Sequence, residues 1–427
     1  MNTDITAYGA VSGSTEVCTS AIQSAIDACA ASGGGRVTVP AGTYISGTIW
    51  LKSNVELHLE HGCRLVASKD QEDYNALDAY EQNYSTLHEE WLGQHFILSV
   101  EQENVAITGT GTIDGSGDSF FGEKRWIGVN GWMHGFAGAK DKEKLRPGQL
   151  ICFIECTGVT MQDVTVVDAP CWCCFFHGCE VVSVRGIKVF NPPHHGNTDG
   201  IDIDSCRYVT VSDCIIKTGD DAIAVRCAAH RLKNKERICE YITITNCFLS
   251  ASACGIRFGV GYGAIKHVQV SNLTVGEAGT MFTLMTGYLG KGHVEIKDIH
   301  IQHVSAENVR RPFLIEDASE AGIGQIVLSD IYADARRPSE ITTTKDGTLS
   351  DIVLRNVHIE AKEVAKKRNS DKENKEELAV MNFKGVQDLL LERVRIHAEE
   401  SLRDEWVQDI CFVNCTAVEA YCCKYRL

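Results

Sequence analysis

One short pattern, repeated along most of the chain, constrains its fold more than any other feature. It reads apolar-x-apolar-x-(Asn/Asp)-apolar-x-apolar. It occurs as VTMQDVTV from Val159, VSVRGIKV from Val182, VTVSDCII from Val209, ITITNCFL from Ile242, VQVSNLTV from Val268 and VEIKDIHI from Val294. Weaker copies begin at Ile326, Ile352, Leu389 and Ile410. The first five steps are 23, 27, 33, 26 and 26 residues. A β-branched, alternating unit of that length fits a solenoid of stacked short strands. Period-2 alternation puts one set of side chains inside each coil. The mid-pattern Asn or Asp breaks the alternation, as a corner between two strands must. Asp163, Asp213, Asn246, Asn272, Asp298, Asp330, Asn356 and Asn414 fill that slot, with Gly186 once. Such residues tolerate the left-handed backbone of a corner, and stacked corners let their amides bond along the solenoid.

The expectation is an all-β chain: a single-stranded, right-handed parallel β-helix with an N-terminal capping helix, one domain over 1–427. An open solenoid end exposes core and strand edges and has to be covered. Residues 19–31 supply the cap. Ile22, Ile26 and Cys29 share one helical face, Thr19 is the expected N-cap, and Gly33–Gly35 stop the helix. A first strand follows over Arg36–Val39. Between 115 and 148 the pattern lapses into a long aromatic loop, with Phe120, Phe121, Trp126, Trp132, His134 and Phe136, expected near the cleft. A loop of that length in a compact fold is usually functional. Residues 361–377 form a charged excursion between coils.

Composition narrows the function. The 427 residues carry 41 Lys+Arg against 57 Asp+Glu, a formal charge of −16. That excludes the basic footprint of a nucleic-acid binder. It also disfavours a strongly anionic polymer unless basic residues gather locally. No run of 18 apolar residues suggests a membrane span. The opening residues, Met1 to Ala10, show no basic segment leading into an apolar one. The 19 cysteines are odd in number, so they cannot all pair internally. Free, buried thiols in a reducing, cytoplasmic setting are expected. Cys171-Trp172-Cys173-Cys174 lacks the spacing of a zinc site.

Two segments stand out against the repeat: Gly196-Asn197-Thr198-Asp199-Gly200 and Thr218-Gly219-Asp220-Asp221-Ala222. Asp199 precedes the acidic pair by 21 and 22 residues, about one coil. One coil advances by a strand spacing of about 4.8 Å, so the three carboxylates should stand side by side. Close carboxylates repel, and at least one should hold its proton to higher pH. An acid and a base can then coexist near neutrality, which is the usual machinery of glycoside hydrolysis. Turn-forming Asp residues, a calcium site and a lyase remain alternatives from spacing alone.

At these residues the chain resembles glycoside hydrolase family 28, the polygalacturonase family. The N-terminal part fits as well: Tyr8-Gly9-Ala10, GGGRVTVPAGTY from Gly33, LKSNVELHLEHGCRL from Leu51, TGTGTIDGSG from Thr108 and RPGQLICFIECTGV from Arg146. The family's Asn-Thr-Asp and Asp-Asp signatures are present as 197–199 and 220–221. The resemblance implies an inverting hydrolase without metal or cofactor. Asp220 would be the general acid, with Asp199 and Asp221 holding and deprotonating the attacking water. Two family motifs are absent. Cys254 stands where Gly-His-Gly has its histidine, and 279–285 holds no basic residue where Arg-Ile-Lys binds the uronate. Met281, Phe282 and Met285 suggest an apolar wall there.

The expected substrate is therefore an oligosaccharide or small glycoside with a non-uronate sugar at the cleavage site, attacked in exo fashion. His194, His195, Asn197, Arg257 and Trp172 are the candidate substrate contacts; an aromatic ring can stack on a sugar. One alternative is an exo-galacturonidase whose basic contacts come from Arg257, Arg226 or Arg311. Another is a non-catalytic carbohydrate-binding β-helix.

Overall fold

The computed structural model describes residues 1–75, 92–129, 132–139, 145–287, 292–344, 348–364, 378–402 and 404–426. Side chains of residues 124–129, 132–139, 231 and 378 lie outside the description. So do most of the charged excursion (365–377) and the side chains of Trp126, Trp132, His134 and Phe136. The fold is a parallel β-helix. Its backbone forms two compact units: Met1–Trp126, His134–Asp221 and Ala229–Arg237 in the first, and Ile127–Met133, Ala222–Ala228 and Ile238–Leu427 in the second.

In the first unit each coil contributes three short strands. Cys174–His177, Glu180–Arg185 and Lys188–Phe190 form one coil; Ile201–Asp204, Arg207–Ser212 and Ile215–Thr218 form the next. Like strands pair in parallel, with Cys174 beside Ile201, Val182 beside Val209 and Val189 beside Ile216. The inward column Val105, Val159, Val182, Val209 is buried throughout. The second unit repeats the scheme: Ile242, Val268, Ile299, Ile326, Ile352 and Leu389 succeed one another in register. Each such side chain removed from water is worth about 1.5–3 kcal/mol, and the alternation delivers two or three per strand.

The corners are where the pattern places them. Asp163, Gly186 and Asp213 in the first unit, and Asn246, Asn272, Asp330 and Asn356 in the second, all have φ between 51° and 64°. The Asn356 amide donates to Asp330 at 2.7 Å, one of the expected bonds along the solenoid. Two copies need correction. Lys266 pairs with Lys297, so Asp298 stands beside His267, and Asn272 stands beside His303. Lys384 pairs with Val413, so Asn414 stands beside Gly385. Both belong to different corners of the coil. Alternating apolar residues flank every corner, so the pattern marks corners without saying which one.

The cap helix, α1, spans Thr19–Ala31, with Ile22, Ile26 and Cys29 fully buried. Gly33 and Gly34, at φ of 92° and 103°, follow it, and the Gly34 N–H closes on the Cys29 carbonyl at 2.9 Å. The N-cap position is Cys18. Thr19 instead uses its hydroxyl to accept from the Gly47 N–H at 2.7 Å, tying the helix to the neighbouring strand. The first core strand runs Gly35–Val39. Where a long loop was expected, Phe121–Val129 and Trp132–Ala139 pair as a separate two-stranded sheet. All 19 cysteines are free, and all but five are buried. No helix among the described residues is long and apolar enough to cross a membrane.

Candidate active site

The acidic segments are the loops that precede two successive strands, and they lean on each other. Gly219 makes this possible: a Cβ there would lie 2.0 Å from the His195 carbonyl oxygen and 2.7 Å from that of Pro192. The Gly219 N–H donates to the Thr198 hydroxyl at 3.2 Å, and that hydroxyl donates to the His195 carbonyl at 2.7 Å. The Gly200 N–H donates to the Asp221 carbonyl at 3.0 Å. Asn197 adopts φ of 54°, which turns its N–H toward Asp220; the bond to Oδ2 is 3.0 Å. Thr198 and Gly219 are thus the fasteners between the two acidic motifs.

The result is one carboxylate trio. Asp199, Asp220 and Asp221 each offer an oxygen within 4.8 Å of the others. Asp199 and Asp221 are buried, and Asp220 is partly exposed. Asp220 is therefore the most open of the three, and the other two are shielded beside it.

Behind the trio lies Arg146, which is buried. Its Nη2 donates to the Asn197 side-chain oxygen at 2.7 Å, and its Nη1 donates to the carbonyls of Pro170 and of Gly196. The guanidinium carbon lies 5.1 Å from the centre of the Phe121 ring, which stacks on His195 at 4.0 Å. The imidazole Nε2 of His195 is 3.2 Å from Asp118, and its Nδ1 is 3.8 Å from Asp168. Burial pushes the Asp168 carboxyl up to about 6, and the charges of Asp118 and Asp114 add to that against the opposing Asp118 N–H.

Residues 29–387 match the family described as glycosyl hydrolases family 28. The chain belongs to that family. It is 26% identical over 318 residues to a probable polygalacturonase of Vitis vinifera, an alignment covering 72% of this chain but only 61% of that protein. It is 25% identical over 355 residues to an exopolygalacturonase of Arabidopsis thaliana, covering 79% and 72% of the two chains. Its fold is that of the exopolygalacturonase from Thermotoga maritima, with a TM-score of 0.66, 21% identity, and coverage of 96% and 91%.

Within the first unit, this family 28 chain brings Asn197 to the trio. Asn197 binds Asp220 directly. His195 is buried against Phe121, with His194 edge-on to it at 4.6 Å. Trp172 is 4% exposed and packs edge-to-face on Phe175 in a cluster with Leu98, Cys152 and Ile154. That burial corrects its expected role as an open stacking platform. Arg257 and Cys254 belong to the second unit, where the Arg257 Nη2 lies 3.3 Å from the buried Cys254 sulfur. Met281 and Phe282 are fully buried, Phe282 in register between Ile256 and Phe313, so they fill the core and do not line a wall.

Arg146, Asp118 and Asp168 are absent from the candidate site residues read from the sequence, where Phe121 enters only as part of the aromatic segment. Arg146 could have been found by coil counting: it stands 51 residues before Asn197, about two coils. Asp118, Asp168 and His195 also offer ligand atoms within 4.8 Å of one another. By geometry alone either trio could take a cation; Asp118 is exposed and Asp168 half-shielded.

Proposed function

We propose that the chain is an inverting glycoside hydrolase. The closely spaced trio of Asp199, Asp220 and Asp221, with Asp220 the most open, is the observation that carries this reading. Asp220 protonates the departing glycosidic oxygen. Asp199 and Asp221 hold a water and take its proton as it attacks the anomeric carbon from the opposite side. The substrate is an oligosaccharide or small glycoside with a non-uronate sugar at the cleaved bond, attacked from one end. Support for the neutral sugar comes from 279–285, which holds no Lys or Arg. The names of the relatives support the alternative of an exo-acting galacturonidase.

A panel of aryl glycosides and pectin-derived oligosaccharides tests the substrate. Saturable turnover of polygalacturonate would overturn the neutral-sugar reading, and a ladder of intermediate products would overturn exo action. The trio's spacing favours one further reading. Inverting carboxyl pairs usually stand about 6.5–9.5 Å apart and retaining pairs about 5–5.5 Å, so oxygens within 4.8 Å also suit retention through a glycosyl-enzyme. NMR of the first-released anomer decides between the two. Turnover that survives EDTA separates acid–base chemistry from a cation at the trio.

A further inference from the structure

A single buried amide closes the loop that carries the chain into its first acidic motif. The strand Lys188–Phe190 ends at Asn191, whose N–H donates to the Lys217 carbonyl of the following coil at 2.9 Å. Pro192 and Pro193 come next; neither has an N–H, and the residue before each is kept out of helical backbone. The loop then turns at His195, whose N–H donates to the Pro192 carbonyl at 3.1 Å, and reaches Thr198 and Asp199.

Asn191 is buried, and both ends of its side-chain amide are engaged. Its Oδ1 accepts from the Ala169 N–H at 3.0 Å. Its Nδ2 donates to the Thr198 carbonyl at 3.1 Å and to the Cys173 sulfur at 2.9 Å. The Ala169 N–H can only donate, so it fixes which end of the amide is oxygen and turns the NH2 group toward Thr198. One side chain thus joins three places in the first unit: the turn at 169–173, the strand end at 191 and the acidic motif.

The Thr198 carbonyl belongs to the peptide on the N-terminal side of Asp199. The carbonyl on its other side, that of Asp199 itself, accepts from the Cys173 N–H at 2.8 Å. Both peptides that flank the Asp199 α-carbon are therefore fixed, and the direction of the side chain follows from them. Asp220 has a separate tie, the Asn197 N–H. The titratable groups about the Asn191 amide are Cys173 and Asp199. Burial, then Cys174, raises the Cys173 thiol well above its ordinary value; the Asn191 amide opposes that, and Asp199 and Asp202 add to it. The thiol stays neutral and keeps accepting from the amide across the pH range of the test below.

We propose that Asn191 is a positioning residue for Asp199, its amide holding the Thr198–Asp199 peptide so that the Asp199 carboxyl stays beside that of Asp221. The proposal rests on the reading of Asp199 as one of the two carboxylates that handle the attacking water.

Asn191→Asp tests it. An acid has the shape of the amide, keeps an oxygen for the Ala169 N–H, and can donate to the Thr198 carbonyl only when protonated. Turnover is followed from pH 4 to pH 8 on the compound of the aryl-glycoside and pectin-oligosaccharide panel that the parent hydrolyses fastest. Taking the ratio of variant to parent kcat removes the parent's own profile. At pH 8 the variant should be about 10–100-fold slower, as for a catalytic group misplaced by up to about 1 Å. The ratio should climb toward one as pH falls and the introduced carboxyl takes up its proton. A residue that only stabilised the fold would move the melting temperature and leave the kcat of the folded chain alone. A ratio near one throughout, or a lowered ratio that does not respond to pH, overturns the proposal.

Asp199→Asn, assayed alongside, keeps the two readings apart. Parent-like turnover of that variant overturns the role given to Asp199, and the proposal with it. A disabled Asp199→Asn beside a parent-like Asn191→Asp overturns the proposal alone. Should Asn191→Asp not fold, amide hydrogen exchange in Asn191→Ala replaces it. Exchange over 198–201 should quicken about five- to tenfold, the equivalent of one lost neutral hydrogen bond, while the strand Leu349–Ala361 of the second unit exchanges as in the parent. Parent-like exchange over 198–201 overturns the proposal.

Discussion

The backbone N–H of Asn197 donates to Oδ2 of Asp220 at 3.0 Å, across a separation of 23 residues. One coil of the solenoid thereby holds the carboxyl of the next. An Asp220→Asn chain keeps an oxygen to accept this bond, so its melting temperature should stay within a degree or two of the parent's. Its turnover should fall by about 10²–10⁴-fold, the range for a lost general acid. Substrate binding, measured by titration, should persist. Undiminished turnover would remove Asp220 from the chemistry.

Arg146 sets the position of that same turn. It binds the side chain of Asn197 and the carbonyl of Gly196, so its loss releases the residue whose N–H meets Asp220. Lysine cannot reproduce a planar fork with several fixed donors. Arg146→Lys should lower kcat by about 10–100-fold, as for one lost hydrogen bond to a charged group. A drop in melting temperature with kcat unchanged would reduce Arg146 to a packing residue.

Gly219 is the tightest point between the two acidic loops, 2.0 Å from where a Cβ would meet the His195 carbonyl. Backbone cannot yield as a side-chain tip can. Gly219→Ala should separate the loops, costing about 1–3 kcal/mol of stability as overpacking does. It should also cost about 100-fold in turnover, as a misplacement near 1 Å can. Thermal melting and turnover measured together check this. Parent-like values for both would mean that the loops are not locked at this residue.

Much of this was legible in the sequence for a physical reason. Alternation has a period of two in every strand, and a left-handed corner selects Asn, Asp or Gly, so Asp163, Asn246 and Asn356 announce themselves. The spacing of Asp199 from Asp220 is a coil length, and register does the rest. What stayed hidden depends on contacts that no local pattern encodes. Asp298 and Asn414 look like the other corner residues, yet pair with His267 and Gly385. Thr19 has the chemistry of a helix cap and spends it on Gly47. Arg146 reads as an ordinary loop residue until two coils fold over it, and Trp172 reads as a sugar platform until Phe175 packs on its edge. The aromatic segment looks like loop because its glycines and aromatics follow no coil period, although two strands form there.

Asp168 gives the stability a definite pH dependence. Its carboxyl is pushed from 3.8 up to about 6, chiefly by burial. The folded chain therefore binds this proton more tightly than the unfolded chain, and protonation favours folding. Above pH 6 the buried carboxylate opposes folding. That opposition is relieved as pH falls through 6 and is gone below about 4. Asp168→Asn removes the charge while leaving an oxygen for the Asp118 N–H. Its stability relative to the parent should be greatest at pH 7 and should shrink steadily toward pH 4. Denaturant titrations of both chains at pH 4, 5, 6 and 7 check the trend. A difference that does not vary with pH would show that His195, 3.8 Å away, compensates the charge.

The thiols give a test of the solenoid interior itself. Cys422 is exposed, Cys18, Cys411, Cys415 and Cys423 are partly exposed, and the remaining 14 of the 19 are buried. Thiol reagents attack the thiolate, which burial disfavours. Burial pushes Cys63 up to about 12 and raises Cys152, Cys173 and Cys179 strongly. Ellman's reagent should therefore label at most five thiols of the native chain promptly, Cys422 first. In guanidinium without reductant the count should rise to 19, because no pair is joined. Fewer than 19 in the unfolded chain would reveal a disulfide. Prompt labelling of well over five in the native chain would mean that the coils open far more readily than their packed columns imply.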